Sequence, residues 1–179
     1  LGYERIFKGF TLRQQDLVSK GINTYNCNMK SAVYHFPFIP FKFLKGLHKT
    51  GILFNARLDS TRLKRKHLIK INNLTLIEIL ILRYYKKFEE PIKIGNVIIV
   101  LATSDKEINR EFEEIFLNYD FVKIFYGNEN NLPQRHIDCA EFYDLTHIIS
   151  IEGDVPFCST EGSMLVYEDM INYNKQIVK

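Results

Sequence analysis

At 179 residues and 21.1 kDa the chain holds one domain, or one domain with an appendage, and is long enough to bury a substantial core. A composition of 46% hydrophobic, 13% aromatic and 25% charged residues excludes low-complexity disorder, and Cys27, Cys139 and Cys158 are too few and too scattered for a disulfide framework or a Cys/His metal site, which fits free thiols in a reducing cytoplasm. The formal net charge of +3 divides unevenly, with +6 on residues 1–50 and −3 on residues 51–179; the basic residues of the first part stand singly, without Arg clusters, which argues against a nucleic-acid partner.

The chain opens at Leu1 without a signal-peptide pattern, as expected of a fragment or a processed chain. Thr11 to Gly21 predicts a short helix, with Gln14 three places after Thr11 as a capping box and Gly21 as the stop. Residues 31–47 are the most apolar stretch, but Pro37, Pro40, His35, Lys42 and Lys45 interrupt it. A spanning helix needs about 20 mostly apolar residues, so no membrane span is expected and the stretch reads as an aromatic connector. Composition changes near residue 50. The reading is therefore a basic, aromatic-rich accessory segment over 1–50, with a helix at Thr11 to Lys20 and Tyr34, Phe36, Phe38, Phe41 and Phe43 as anchors, followed by an α/β domain over 51–179.

From Gly51 the pattern is regular. GILFNA (51–56) is an apolar run of the kind expected in a strand buried on both faces. Leu74 to Phe88 predicts an apolar helix, and NVIIVLAT (96–103) a second buried strand. Lys106 to Asn118 predicts an amphipathic helix with Ile108, Phe112, Ile115 and Phe116 on its apolar side. FVKIFYG (121–127) alternates, as a strand nearer an edge does. Pro133 to Tyr143 predicts a helix, THIISIEG (146–153) a fourth strand, and Thr160 to Tyr173 a last helix capped by Ser159 or Thr160. Strand and helix alternate, so the expected fold is α/β: a mostly parallel sheet with helices on both faces. Ligands in such sheets bind beyond the carboxyl ends of the strands, which directs attention to the loops after 56, 103, 127 and 153.

The first of these, ARLDSTRLKRKHLIK (56–70), sets Arg57, Arg62, Lys64, Arg65, Lys66 and Lys70 against one acid, Asp59. Six cations facing one pocket repel each other unless an anion joins them, and a di- or triphosphate is the natural partner. Ser60 and Thr61 add hydroxyl donors, and no P-loop motif is present. The alternative is a solvated basic loop. In ATSDKE (102–107), Asp105 is either a ligand contact or part of a capping segment begun by Thr103 or Ser104. In EGDVPFC (152–158), Gly153 allows a close backbone approach, and Asp154 offers the hard oxygen that Mg²⁺ takes beside substrate phosphates. Glu152 reads as a backbone hydrogen-bonding residue, and a plain turn aspartate is the alternative for Asp154.

ARLDSTRLKRK at 56–66 resembles the nucleotide-binding motif A-R-x-x-S-x-R-L-P-G-K of the sugar-acid cytidylyltransferases. ATSDKE, GNENNLPQR and EGDVPF resemble the later blocks of that family, in the same order. The relatives that act in spore-coat and surface polysaccharide synthesis look closest, and the resemblance covers about residues 51–175. It implies a nucleotide-diphospho-sugar transferase-like fold and a cytoplasmic enzyme of polysaccharide biosynthesis. The implied reaction joins CTP and a sugar acid into a CMP-sugar with release of pyrophosphate and with Mg²⁺ as cofactor. By position it implies that Arg57, Ser60, Arg62 and Lys66 hold the triphosphate. Asp154 would bind the metal, while Asp105, Asn131 and Arg135 would line the nucleoside and sugar pocket. Arg57, Lys66 and Asp154 would be the catalytic set. Two departures stand out: Lys64-Arg65 replaces the family's Pro-Gly, and members of the family continue past the equivalent of Lys179 with a second metal carboxylate and a dimerisation hairpin. The expectation is thus a C-terminally incomplete domain, with a homodimer as the candidate assembly. The competing readings are a nucleotide- or sugar-binding domain of the same fold without turnover, a glycosyltransferase, for which the usual DxD motif is missing, and an interaction module built on the basic arm.

Overall fold

The computed structural model describes Gln15, Ser19, residues 49–60 and residues 63–173. The chain divides into two units, Leu1–Leu44 and Lys45–Lys179, and the sheet with the helices around it belongs to the second. The expected aromatic anchors between Tyr34 and Phe43 lie outside the described residues, as does the helix at Thr11 to Lys20 apart from Gln15 and Ser19, whose backbone is helical. No described helix is long and apolar enough to cross a membrane.

In chain order the strands are β1 (Thr50–Asn55), β2 (Lys70–Ile71), β3 (Leu74–Thr75), β4 (Val97–Ser104), β5 (Val122–Gly127) and β6 (His147–Glu152). The helices are α1 (Leu76–Lys87), α2 (Glu89–Lys93), α3 (Glu111–Ile115), α4 (Leu132–Tyr143) and α5 (Thr160–Tyr173). The main sheet has the order β5-β4-β1-β6 and all its pairings are parallel, with Ile52 opposite both Ile99 and Ile149. All six residues of β1 are buried, as the unbroken apolar run requires of a central strand. The alternating β5 is at one edge, where the alternation puts it.

Alternate side chains of the central strands feed two cores. Ile52, Phe54, Ile99 and Leu101 pack with Ile77, Leu80, Ile81 and Tyr84 of α1, Phe112 of α3 and Tyr167, Met170 and Ile171 of α5. Leu53, Val100 and Ala102 face the other way, onto Cys139 of α4 with Phe125, Tyr143 and Leu145 around it. Helices therefore cover both faces. An aromatic series ties the first core together: Phe54 meets Tyr84 edge-on at 5.2 Å, Tyr84 stacks on Phe88 at 6.0 Å, and Phe88 meets Tyr167 at 5.7 Å.

Three elements differ from the sequence-based expectation. The helix expected from Leu74 starts at Leu76, because Leu74–Thr75 pairs with Lys70–Ile71 in a small hairpin turned at Asn72 (φ 54°). Thr75 is then the N-cap, its Oγ1 accepting from the Glu78 N–H while the Glu78 carboxylate accepts from the Thr75 N–H at 2.8 Å. The helix expected over Lys106 to Asn118 is broken into a 3-10 turn, Glu107–Arg110, and the short α3. The physical reason is Asn109, whose buried amide donates to the Ser104 carbonyl and hydroxyl and accepts from the Leu58 N–H; fixing it inward leaves Ile108 exposed. Finally, α2 follows α1 directly and carries Pro91 in its first turn, where proline's missing N–H costs nothing.

Candidate functional site

The chain leaves β1 for β4 on one side and later enters β6 on the other, so β1 and β6 flank the point where strand order reverses. At their carboxyl ends is a cavity of 570 Å³, in the place where ligands bind in open parallel sheets. Its walls come from the loop after β1 (Arg57, Ser60, Lys66, His67), the loop after β5 with the start of α4 (Glu129, Asn130, Arg135), and the end of β6 (Glu152, Asp154). The loop after β4 does not reach it.

Of the residues expected at the site, Arg57, Ser60, Lys66, Asp154 and Arg135 come together here. Arg62 lies outside the described residues. Asp105 is exposed and lines neither this cavity nor its neighbour. Asn131 lines neither as well; it caps α4, its Oδ1 accepting from the Gln134 N–H at 3.0 Å. Thr103 and Ser104, expected as caps, are buried in β4. The described loop cations do not share one pocket. Lys64 and Arg65 face a second cavity of 610 Å³ beside the first, with Arg57 between the two, and Arg65 pairs with Glu111. Lys70 is exposed in the hairpin.

The cations that remain are held apart by specific acids. Lys66 forms an ion pair with Asp154 across the cavity, and that bond keeps the Asp154 carboxyl below the ordinary aspartate range. Asp59 accepts from Lys106 Nζ at 2.7 Å and lies near Arg57; the Lys106 bond likewise lowers its pKa. Lys106 also pairs with Glu129, bridging the loops after β1 and β5. Arg135 is the buried cation of the site, 4% exposed. Its Nε and Nη2 donate to the Asn128 carbonyl at 2.9 and 2.8 Å, and Nη2 also donates to Glu129 O. Burial, and then the charge of Arg57, lower its pKa, so an anion in the cavity relieves a cost already present.

Gly153 allows a close approach, as expected, but to β1 and not to open space: its N–H donates to Asn55 O at 2.9 Å, and a Cβ there would lie 2.7 Å from that oxygen. The floor of the cavity carries groups that no local sequence pattern marks. Asn55 donates to Ser150 Oγ at 2.9 Å and accepts from His136 Nε2 at 2.9 Å. His67 is 3% exposed and donates from Nδ1 to the Gly153 carbonyl at 3.1 Å. Lys106 and Glu129 escape sequence reasoning in the same way: each lies outside an apolar period, and only the approach of distant loops gives it a partner. Asn109 adds to its local bonds with Ser104 one from the distant Leu58 N–H.

Mg²⁺ takes oxygen ligands, keeps several waters and shares substrate phosphates with one or two carboxylates. The Asp154 carboxylate is ionised, 42% exposed and in the same cavity as Arg57 and Lys66, so the donor set fits an ion shared with a phosphate. It does not form an all-protein cage: among the described residues no three His, Cys, Asp or Glu side chains group as a metal site.

Comparison with known proteins agrees with this geometry. Residues 52–177 match the family model described as cytidylyltransferase. A structure of a cytidylyltransferase from Leptospira borgpetersenii superposes with a TM-score of 0.59 at 32% identity, covering 72% of this chain and 50% of that one. The 3-deoxy-manno-octulosonate cytidylyltransferase of Rickettsia bellii is 30% identical over 135 residues, 72% of this chain and 50% of its own length. The spore coat polysaccharide biosynthesis protein SpsF of Bacillus subtilis is 31% identical over 114 residues, 61% of this chain and 44% of its own length. The chain thus spans about half the length of the curated relatives it matches. With the parallel sheet, the motif at 56–66 and the cavity at the strand-order reversal in agreement, the chain belongs to the cytidylyltransferase family.

Proposed function

We propose that the chain binds CTP as its Mg²⁺ complex in the crevice between β1 and β6 and transfers CMP to a sugar acid, releasing pyrophosphate. The observation that carries this reading is the juxtaposition of Arg57, Ser60, Lys66 and the buried Arg135 with Asp154 around one cavity. The names of the relatives add support, since two of them are called cytidylyltransferases and one of these names 3-deoxy-manno-octulosonate.

In the reaction, a hydroxyl oxygen of the sugar acid bonds to the α-phosphorus of CTP. The bond from that phosphorus to the bridging oxygen breaks, pyrophosphate leaves with the electron pair, and the hydroxyl proton passes to solvent. The protein's part is positioning and charge neutralisation. Arg57 and Lys66 take phosphate oxygens, Arg as a two-toothed donor and Lys as a point charge. Ser60 donates a hydroxyl hydrogen bond. Arg135 supplies a fixed positive charge on the far wall, already desolvated and held by two carbonyls. Asp154 would hold Mg²⁺, leaving Lys66 free for the triphosphate. When bound, Mg²⁺ withdraws charge from the phosphate oxygens and so eases both attack and departure.

The test is calorimetric titration with CTP, with and without Mg²⁺, coupled to an assay of pyrophosphate release with 3-deoxy-manno-octulosonate. Wild type should bind CTP more tightly with Mg²⁺. Arg57→Ala and Lys66→Ala should each weaken binding by about 1.5–3 kcal/mol, the range for charged hydrogen bonds. Asp154→Asn should remove the Mg²⁺ dependence with little change in melting temperature. Mg²⁺-dependent binding without pyrophosphate release would leave a binding domain. Unchanged affinity in both cation variants would sink the reading.

A further inference from the structure

We propose that His67 is a positioning residue that sets Asp154 opposite Lys66. The inference rests on the proposed roles of Lys66 and Asp154 in binding triphosphate and metal. Lys66 and Asp154 meet across the cavity, and their immediate chain neighbours, His67 and Gly153, are bonded to each other: His67 Nδ1 donates to Gly153 O at 3.1 Å. Both backbone polar groups of Gly153 are thereby held, its N–H by the Asn55 carbonyl of β1 and its carbonyl by His67. The space around it admits no Cβ. Apart from its own backbone N–H, the described partner of the Asp154 carboxylate is Lys66, which CTP would draw away, and the side chain is 42% exposed.

His67 is suited to this work. It sits in the 3-10 turn Lys66–Leu68, which is fixed by backbone bonds from Leu68 N to Arg65 O and from Arg65 N to Leu58 O. It is 3% exposed, and burial disfavours its charged form. A neutral ring with its proton on Nδ1 is a donor of fixed direction toward the carbonyl. Partners that orient ligating groups from behind commonly change metal affinity or activity by about 10–100-fold when removed.

Three variants separate positioning from packing. The amide nitrogen of asparagine stands as many bonds from the backbone as Nδ1, so His67→Asn can remake the bond. His67→Gln places its amide one atom further out, and His67→Leu keeps bulk without a donor. The bond itself is read without any ligand. The ¹⁵N shifts of His67 in the wild type should report the Nδ1–H tautomer, and amide exchange over residues 153–158 should quicken in His67→Gln and His67→Leu but not in His67→Asn. With CTP, the Mg²⁺ concentration for half-maximal effect should rise about 10–100-fold in His67→Gln and His67→Leu and stay near wild type in His67→Asn. If His67→Leu does not fold, the asparagine and glutamine variants decide the matter. An Nε2–H tautomer, or equal Mg²⁺ dependence in asparagine and glutamine variants of equal melting temperature, overturns the proposal. A wild type that shows the tautomer and exchange pattern but no Mg²⁺-dependent CTP binding means that the clamp stands and the functional reading of Lys66 and Asp154 has failed.

Discussion

Arg65 has φ 56° and ψ 25°, the left-handed region in which a side chain crowds the following carbonyl oxygen. The resembling family motif has glycine at this place, and the backbone angles explain why: the turn needs the conformation whatever residue fills it. For an arginine the conformation costs about 1–2 kcal/mol. What the side chain returns is an ion pair with Glu111, both groups being partly exposed, and such surface pairs contribute about 0–1 kcal/mol. Arg65→Gly relieves the strain but adds freedom to the unfolded chain, which takes back about 0.5–1 kcal/mol. The expected net is stabilisation by about 0.5 kcal/mol, a rise of about 1–2 °C in melting temperature for a chain of this size. Calorimetric scanning checks it, and a melting temperature lowered by several degrees would mean that the Glu111 pair outweighs the strain.

Among the elements, α1 shows how local sequence sets structure. Thr75 ends the hairpin strand and, in the same residue, caps the helix through a reciprocal bond with Glu78, whose other oxygen accepts from Tyr119. The cap therefore fixes where α1 starts and how its Ile77, Leu80, Ile81 and Tyr84 meet the sheet. Thr75→Ala should cost about 1–2 kcal/mol, the upper part of the range for lost N-caps because Thr75 is buried. Urea unfolding measures this, and a loss below about 0.3 kcal/mol would place the helix start under the control of the core alone. The Thr-x-x-Glu pattern at 75–78 is readable in the sequence, but the apolar Leu74 just before it draws the expected helix start two residues early. The buried strands β1 and β4 are legible because long apolar runs bounded by polar loops admit few other readings. The broken helix at 107–115 is not, since Ile108 and Phe112 have helical spacing and nothing local says that Asn109 will turn inward to meet Leu58. For the site, the cationic motif and Gly153-Asp154 are visible as local strings. The His67–Gly153 and Lys106–Glu129 contacts join residues 86 and 23 apart along the chain, and only the folded sheet brings them together.

For the whole molecule the question is where the autonomous fold begins. β1 is the central strand, bonded to β4 on one side and β6 on the other, and it starts at Thr50. Just before it, Lys49 is also engaged: its N–H donates to Thr146 Oγ1 at 2.9 Å, and its carbonyl accepts from the Thr146 N–H at 2.8 Å. Both described cores are assembled from residues 52–171. We therefore place the start of the folding unit at about residue 49 and propose that residues 1–48 are an accessory segment. Deleting them should leave a chain that unfolds cooperatively and, if the crevice binds CTP as proposed, keeps the full-length affinity for CTP with Mg²⁺. Removing +5 of the formal charge should leave a net −2, so the truncated chain should also pass from retention on a cation exchanger to retention on an anion exchanger near pH 7. Thermal unfolding and calorimetry of the truncated chain beside the full one decide the matter. Loss of the cooperative transition would mean that residues before 49 complete the core. Retained folding with lost CTP affinity would instead place part of the nucleotide site in the accessory segment.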